Sequence, residues 1–399
     1  MDRGSVRRLA RPGSWDTGLL TGVLFAVVVL AETVLHLGLN SPYTYGNLRA
    51  YGHIGSDYVR DLEGYLVNRD SFDQAGLAIF LASGVQSSWL MVSRVFYSHL
   101  VSLLYPWMGV YEAALLVNVA LWEVASLAVW RLALLVGMGR AGAFLAGLLT
   151  ATSVGFITVA GQVISYQGAY CAIALTVYFC ARAVYRPGEG PRNPVLAGIV
   201  AGAGFLTYEL VNLLAFAAVL FLLHRRVRHL LVFLSLALAP ALLLHLLSMA
   251  VGLRVFHYDL LAELLAGLGH GWTTPLGRLT GYGASLVLGL LQAFVFLTPL
   301  LALVGWWSDR DSSRRVFFAL LVLVLAVPVA LGSNPWPRNY FHAFPGIYIL
   351  AVAGLFHLGD LIGRLGPRAS LARALAIGTG AALALISSHL TVYRYYYYG

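Results

Sequence analysis

The chain alternates between long apolar stretches and short polar connections, and the apolar stretches have lengths that match a lipid bilayer. Runs long enough to cross a hydrocarbon core fall at roughly 17–38, 110–131, 141–160, 167–185, 229–252, 283–307, 316–332, 339–357 and 372–390. The stretch 194–224 is longer. Its 31 residues, as one helix, would measure ~46 Å against a ~30 Å core. Two short helices bent near Gly204–Glu209 remove the excess and place Glu209 at the bend, towards the outer face. The stretch 88–107 carries Arg94 and His99 in its middle, and a crossing there would turn every later basic loop outward, so it is expected to lie along the outer surface or half-inserted. In the polar segment after the first span, Tyr58, Val59, Leu62, Tyr65 and Leu66 follow the spacing i, i+1, i+4, i+7, i+8. That spacing predicts an amphipathic helix lying in the interface, with Asp57, Arg60, Asp61 and Gly64 on its polar face.

Composition narrows the class. Only 11% of the 399 residues are charged and 59% are hydrophobic, against about 25% charged in a typical soluble domain. A soluble globule, a disordered chain and a nucleic-acid binder are excluded, and membrane lipid is the implied surroundings. The net charge of +9 arises from 26 basic residues, all arginine. Most of them fall in connections that prefer the inside: Arg131/Arg140, Arg182/Arg186/Arg192, Arg225/Arg226/Arg228, Arg310/Arg314/Arg315 and Arg364/Arg368/Arg373. With Arg3, Arg7, Arg8 and Arg11 also inside, the reading is eleven spans, N-terminus inside and C-terminus outside. The aromatic tail Tyr393–Tyr398 then lies at the outer interface. The first span reads as retained rather than as a cleaved leader. The fold class expected is an all-α polytopic membrane protein. It forms one unit over 1–399, with a first outer loop at 39–109 carrying interfacial helices, a second at 253–282, and no separate soluble domain. Cys171 and Cys180, nine residues apart on one apolar helix, point to opposite sides and read as small core residues.

Chemistry must then sit in the outer segments. Five acids, Asp57, Asp61, Glu63, Asp70 and Asp73, fall within 17 residues of the first outer loop. Ser56 or Asp57 can cap the predicted helix, where an acid suits the dipole; Asp57 can equally serve as a reactive carboxylate. Asp61 and Glu63 can be solvated or paired with Arg60. In the last outer loop, GSNPWPRNYFHAFPGIY, Arg338 follows two prolines at the mouth of a span, with Tyr340 and His342 just inside. An arginine there can anchor at the interface or grip an anion bidentately. His342 can be a buried, hydrogen-bonded histidine, a proton carrier or a phosphate ligand. The segment 253–282 holds His257, Asp259, Glu263 and His270 without a recognised metal-ligand spacing, and no HExxH, G-x-S-x-G, Walker A or G-x-G-x-x-G element is present. No metal and no cofactor is expected.

These features together resemble the GT-C superfamily of integral-membrane glycosyltransferases. The block GSDYVRDLEGYLVNRD (55–70) is similar to the family's early aspartate followed by tyrosine in a large acidic outer loop. AGIVAGAGFLTYELVNLLAFAAVLFLLHRR (197–226) is similar to its Gly-rich bent helix pair ending in a basic inner loop. PRNYFHAFPGIYILAVAGL (337–355) is similar to the Arg-x-Tyr…Pro element opening a late span. The family's Pro-Pro-Leu is replaced by SSWLMVSRVFYSHL (87–100), and no outer C-terminal domain follows, which suggests a bundle-only form. The resemblance implies a GT-C-like bundle that transfers a hexosyl or pentosyl group, with inversion, from a polyprenyl-phosphate-sugar donor. The acceptor is a lipid, glycan or protein at the outer face of a bacterial inner membrane. It implies Asp57 as general base and Arg338 as first ligand of the departing phosphate, with Tyr340, His342, Arg60, Asp61, Arg94 and Glu209 around the substrates. The alternative is a transporter or flippase, for which acids inside spans would speak. Glu32 and Glu123 lie within spans, Glu32 near the outer interface, but acids concentrate outside them.

Overall fold

The computed structural model describes residues 15–36, 58–60, 66–68, 75, 77–78, 95–161, 163–208, 210–250, 275–295, 297–331, 340–364 and 369–392. The helices are α1 (Trp15–Leu35), α2 (Val95–Leu104), α3 (Val110–Leu135), α4 (Arg140–Ala151) and α5 (Val154–Ile157). They continue with α6 (Tyr166–Tyr185), α7 (Arg192–Tyr208), α8 (Val211–Leu223), α9 (Val227–Ala250) and α10 (Pro275–Ala293). The last are α11 (Leu297–Ser308), α12 (Ser312–Leu331), α13 (Phe344–Gly363) and α14 (Ala369–Val392). Among the described residues, six helical segments are long and apolar enough to cross a membrane, and α10 with α11 forms a bent seventh. Their outward faces are apolar: Leu19, Leu20, Val23 and Val27 of α1 and Leu238, Leu242, Leu243 and Leu246 of α9 are exposed. A soluble protein does not expose such continuous stripes, and lipid is the solvent they fit.

The expected division of 194–224 is present: α7 ends at Tyr208 and α8 begins at Val211, with Leu210 outside helical geometry (φ −72°, ψ 63°). The helix α2 has ten residues, about 15 Å, too short to cross. It packs on α3 and α7. Its buried Tyr97 and Val101 join Ala75, Ala78, Val110 and Val163 in a small second core.

Two expectations are corrected. The run 283–307 is not one continuous span: α10 and α11 meet at 110°. Pro299, in the first turn of α11, has no N–H to donate back to the Val295 carbonyl, so that helical hydrogen bond is missing where the two helices meet. Val295 turns into the left-handed region at φ 57°, and α11 starts afresh two residues later. The second correction lies at 58–66. In place of an amphipathic helix, β1 (Tyr58–Arg60) pairs antiparallel with β2 (Leu66–Asn68), Val59 opposite Val67. The apolar residues Tyr58, Val59 and Leu66 suit a short antiparallel strand pair as well as they suit a helical face.

Small residues set the tightest crossing. A Cβ on Gly305 of α11 would meet the backbone of Leu350 and Gly354 of α13, and a Cβ on Gly354 would meet the Leu301 carbonyl. The two backbones touch directly, as membrane helices do where small residues face each other.

Several basic connections gather at one end. Arg314 donates to Asp309 (2.8 Å) and to the Val136 carbonyl at the end of α3 (3.0 Å). Tyr185, closing α6, lies against Phe317 and His224 with ring centroids 5.8 and 6.4 Å apart. From the last turn of α6, Arg182 donates to Glu189 at 2.5 Å, and that guanidinium holds the Glu189 carboxyl below its ordinary range. The loops after α3, α6, α8 and α11 therefore share one face, as the positive-inside pattern requires.

Candidate functional site

At the opposite end, the chain enters α13 through a tight turn, Phe341–Ala343. Phe341 is the hub of an aromatic cluster. Its ring lies 4.8 Å from Tyr170, 5.2 Å from Phe294, 5.2 Å from Phe344 and 5.6 Å from Phe156, centroid to centroid. Gly155 makes room for it, since a Cβ there would strike the Phe341 ring. This packing fixes the turn and so fixes its two neighbours, Tyr340 and His342.

Tyr340 is fully buried. Its ring lies over Gly289 of α10, and its hydroxyl meets the Ser285 hydroxyl at 2.7 Å. Ser285 and Gly289 are one turn apart, so a single face of α10 receives the whole side chain. His342 is also buried. Its Nδ1 lies 3.5 Å from Asn212 Nδ2, an amide that also donates to the Leu325 carbonyl at 3.2 Å. With an amide donor facing Nδ1, the proton belongs on Nε2. That Nε2 is buried and has no hydrogen-bond partner among the described residues. The rings of Tyr170 and Tyr208 stand edge-on to the imidazole at 6.0 and 5.8 Å, and Tyr208 donates to the Tyr166 hydroxyl at 2.9 Å.

Tyr208 and Asn212 flank the break between α7 and α8. The structure thus brings the interrupted helix pair against the turn that carries His342. Glu209, at that break, lies outside the described residues, as do Asp57, Asp61, Arg94 and Arg338. Of Arg60 only the backbone, in β1, is described. Sequence reasoning missed Asn212, Tyr166, Tyr170, Tyr208 and Ser285. Asn212 had a readable signal, as the one polar residue in the apolar run VNLLAFAAVLFLL of α8. A donor and a set of hydroxyls in an otherwise aromatic, water-poor setting can hold one oxyanion strongly, because nothing competes for it.

This is the architecture of a multi-pass membrane protein with interrupted helices, and it has solved counterparts. No protein-family model matches the chain, and no curated protein sequence matches it. By structure it is similar to the lipid A aminoarabinose transferase ArnT of Cupriavidus metallidurans bound to undecaprenyl phosphate. The two are 15% identical, with a TM-score of 0.60 over 96% of this chain and 76% of that one. It is also similar to the oligosaccharyltransferase of Archaeoglobus fulgidus in its apo form, at 14% identity and a TM-score of 0.56. That match covers 97% of this chain and 57% of the other, so the chain spans little more than half of the archaeal protein. Both counterparts are GT-C glycosyltransferases. The chain has the GT-C membrane fold.

Proposed function

We propose that the protein transfers a sugar from a polyprenyl-phosphate-linked donor to a lipid, glycan or protein acceptor at the outer face of the membrane. The observation that carries this reading is the likeness, along nearly the whole chain, to a transferase bound to undecaprenyl phosphate. The acid-rich segment that follows α1 in the sequence and the buried His342 donor support it.

The step is a single displacement. The acceptor hydroxyl gives its proton to the Asp57 carboxylate as its oxygen forms a bond to the anomeric carbon. The bond from that carbon to the phosphate oxygen breaks, its electron pair leaves with the polyprenyl phosphate, and the configuration inverts. Negative charge grows on the leaving phosphate. Arg338 and the His342 Nε2–H are the donors assigned to it, with Tyr340, Arg60, Arg94 and Glu209 lining the substrates and Asp61 beside the base. Lipid phosphate leaves readily, so no metal is assigned to this step.

The test uses the full chain in nanodiscs with a panel of radiolabelled polyprenyl-phosphate sugars and membrane extract as acceptor. Wild type should release polyprenyl phosphate from one donor and label a product. Asp57→Asn should lower that rate at least ~10²-fold with an unchanged melting temperature. Near-normal turnover by Asp57→Asn removes the base, and consumption of no donor in the panel removes the reading.

A further inference from the structure

The end of α1 and the end of α14 meet at three side chains that transfer does not use. Glu32, in the last turn of α1, and His36, just past its end, are four residues apart, and both are buried. His389 comes from α14, with its imidazole stacked on that of His36 at 5.5 Å and 12°. One ligand atom from each of the three residues lies within 4.8 Å of the others. His36 Nε2 is 3.3 Å from His389 Nδ1 and 3.5 Å from Glu32 Oε2, and His389 Nε2 is 3.2 Å from Glu32 Oε1.

Hydrogen bonds alone serve this cluster poorly. His36 Nε2 faces two atoms, and one N–H cannot satisfy both. Glu32 Oε2 is buried, and the His36 Nε2 that pairs with it stands at 3.5 Å, at the long limit of a hydrogen bond. A carboxylate oxygen so weakly satisfied in an apolar setting is costly. A cation bound between the two imidazoles and the carboxylate satisfies all three groups at once. Two separations about His36 Nε2, 3.3 Å to His389 Nδ1 and 3.5 Å to Glu32 Oε2, match the roughly 3.4 Å between tetrahedral donors at metal–ligand distances of about 2.0–2.1 Å, and the full set of three lies within 4.8 Å. Two imidazoles and one carboxylate are borderline-hard ligands that fit a zinc-class divalent ion, with the fourth position left to water.

We propose that Glu32, His36 and His389 form a divalent transition-metal site of the zinc class that ties the first described helix to the last. It lies at the end of the bundle opposite the arginine-rich loops. Gly18 of α1 sits against Arg131 at the foot of α3, so Glu32 and His36 are at the far end. Arg373 of α14 pairs with Asp360 near the foot of α13 at 2.7 Å, so His389 is at the far end too. Elsewhere α1 packs on α3 and α4, and α14 on α13, α5, α11 and α4. The site therefore ties together directly two helices that both pack on α4.

The test is metal binding by the purified full chain in detergent after chelation and dialysis. Zinc titrated calorimetrically should bind with one-to-one stoichiometry and raise the melting temperature. Cobalt(II) should give the absorption of a tetrahedral nitrogen–oxygen site, displaced by zinc. His389→Ala and Glu32→Gln should each weaken zinc binding at least ~10-fold while leaving the melting temperature of the metal-free protein within a few degrees of wild type. If either variant fails to fold, the cobalt spectrum of the wild type decides. A protein that takes up no zinc, gives no tetrahedral cobalt spectrum, or binds equally well without His389 overturns the site.

Discussion

At the scale of single residues, His342 separates stability from function. Its Nε2 donor is buried without a partner among the described residues, a situation that costs roughly 1–3 kcal/mol. A phenylalanine of similar size would join the ring cluster around Phe341 and remove that cost. His342→Phe should therefore hold or raise the melting temperature while weakening donor binding. A hydrogen bond to a charged group contributes about 1.5–3 kcal/mol, so the loss in donor affinity should be ~10-fold or more. Equal donor affinity in a fluorescence or filter-binding titration would remove His342 from the site. Residues 340 and 342 stood out in the chain, because polar residues at the start of an apolar run are conspicuous. Their partners were not. Asn212 lies 130 residues from His342 and Ser285 lies 55 from Tyr340, and no local pattern joins them.

Among the elements, the crossing of α11 and α13 is the most sensitive joint. Any side chain at Gly354 meets the Leu301 carbonyl, and backbone cannot move aside cheaply. Gly354→Ala should cost ~1–3 kcal/mol, as overpacking does in cores, and should lower the melting temperature in detergent. Gly378 of α14 is the contrast: a Cβ there meets nothing within 4 Å. Gly378→Ala should stabilise by about 0.5–1 kcal/mol through helix propensity alone. Equal shifts in the two variants would refute the direct backbone contact. At this scale the sequence was informative about which stretches are helical and about the break between α7 and α8, where sheer length forbade one span. It misled where two periodicities coincide. Tyr58, Val59 and Leu66 fit a helical face and a short hairpin equally, and pairing between strands decides such cases. Pro299 weakens a helix through Val295 without forbidding one, as Pro240 inside α9 shows, and hydropathy reads straight through both.

For the whole molecule, the arginine contacts make orientation testable. Arg314 binding to the Val136 carbonyl requires the loops after α3 and α11 to lie on one side. Exposed Gly188 and Arg310 should share that side, and exposed Trp107, before α3, should lie across the membrane. The helix between measures about 39 Å by its 26 residues. Cysteine substituted at 188 or 310 should react with an impermeant maleimide only from the cytoplasmic face, and at 107 only from the outer face. Cys171 and Cys180 are buried and should stay silent. Labelling of 188 and 107 from the same side would break the orientation. The architecture was legible at this level because lipid demands long apolar helices and charge orients them. The candidate site was only partly legible, because the residues packed around His342 come from elements far apart in the chain.

The meeting of α1 and α14 also bears on how the protein is made. His389 follows His36 by 353 residues, and at ~5–20 residues per second synthesis of that stretch occupies roughly 20–70 s. Glu32 enters the bilayer with α1 at the start of that interval, and for its duration His36, one turn away, is its partner within the cluster. The nascent first helix thus carries its own escort for a buried acid. Closure onto α14 is among the late events of assembly, so a ribosome-stalled chain ending before 389 should expose Glu32 and His36 to insertion quality control.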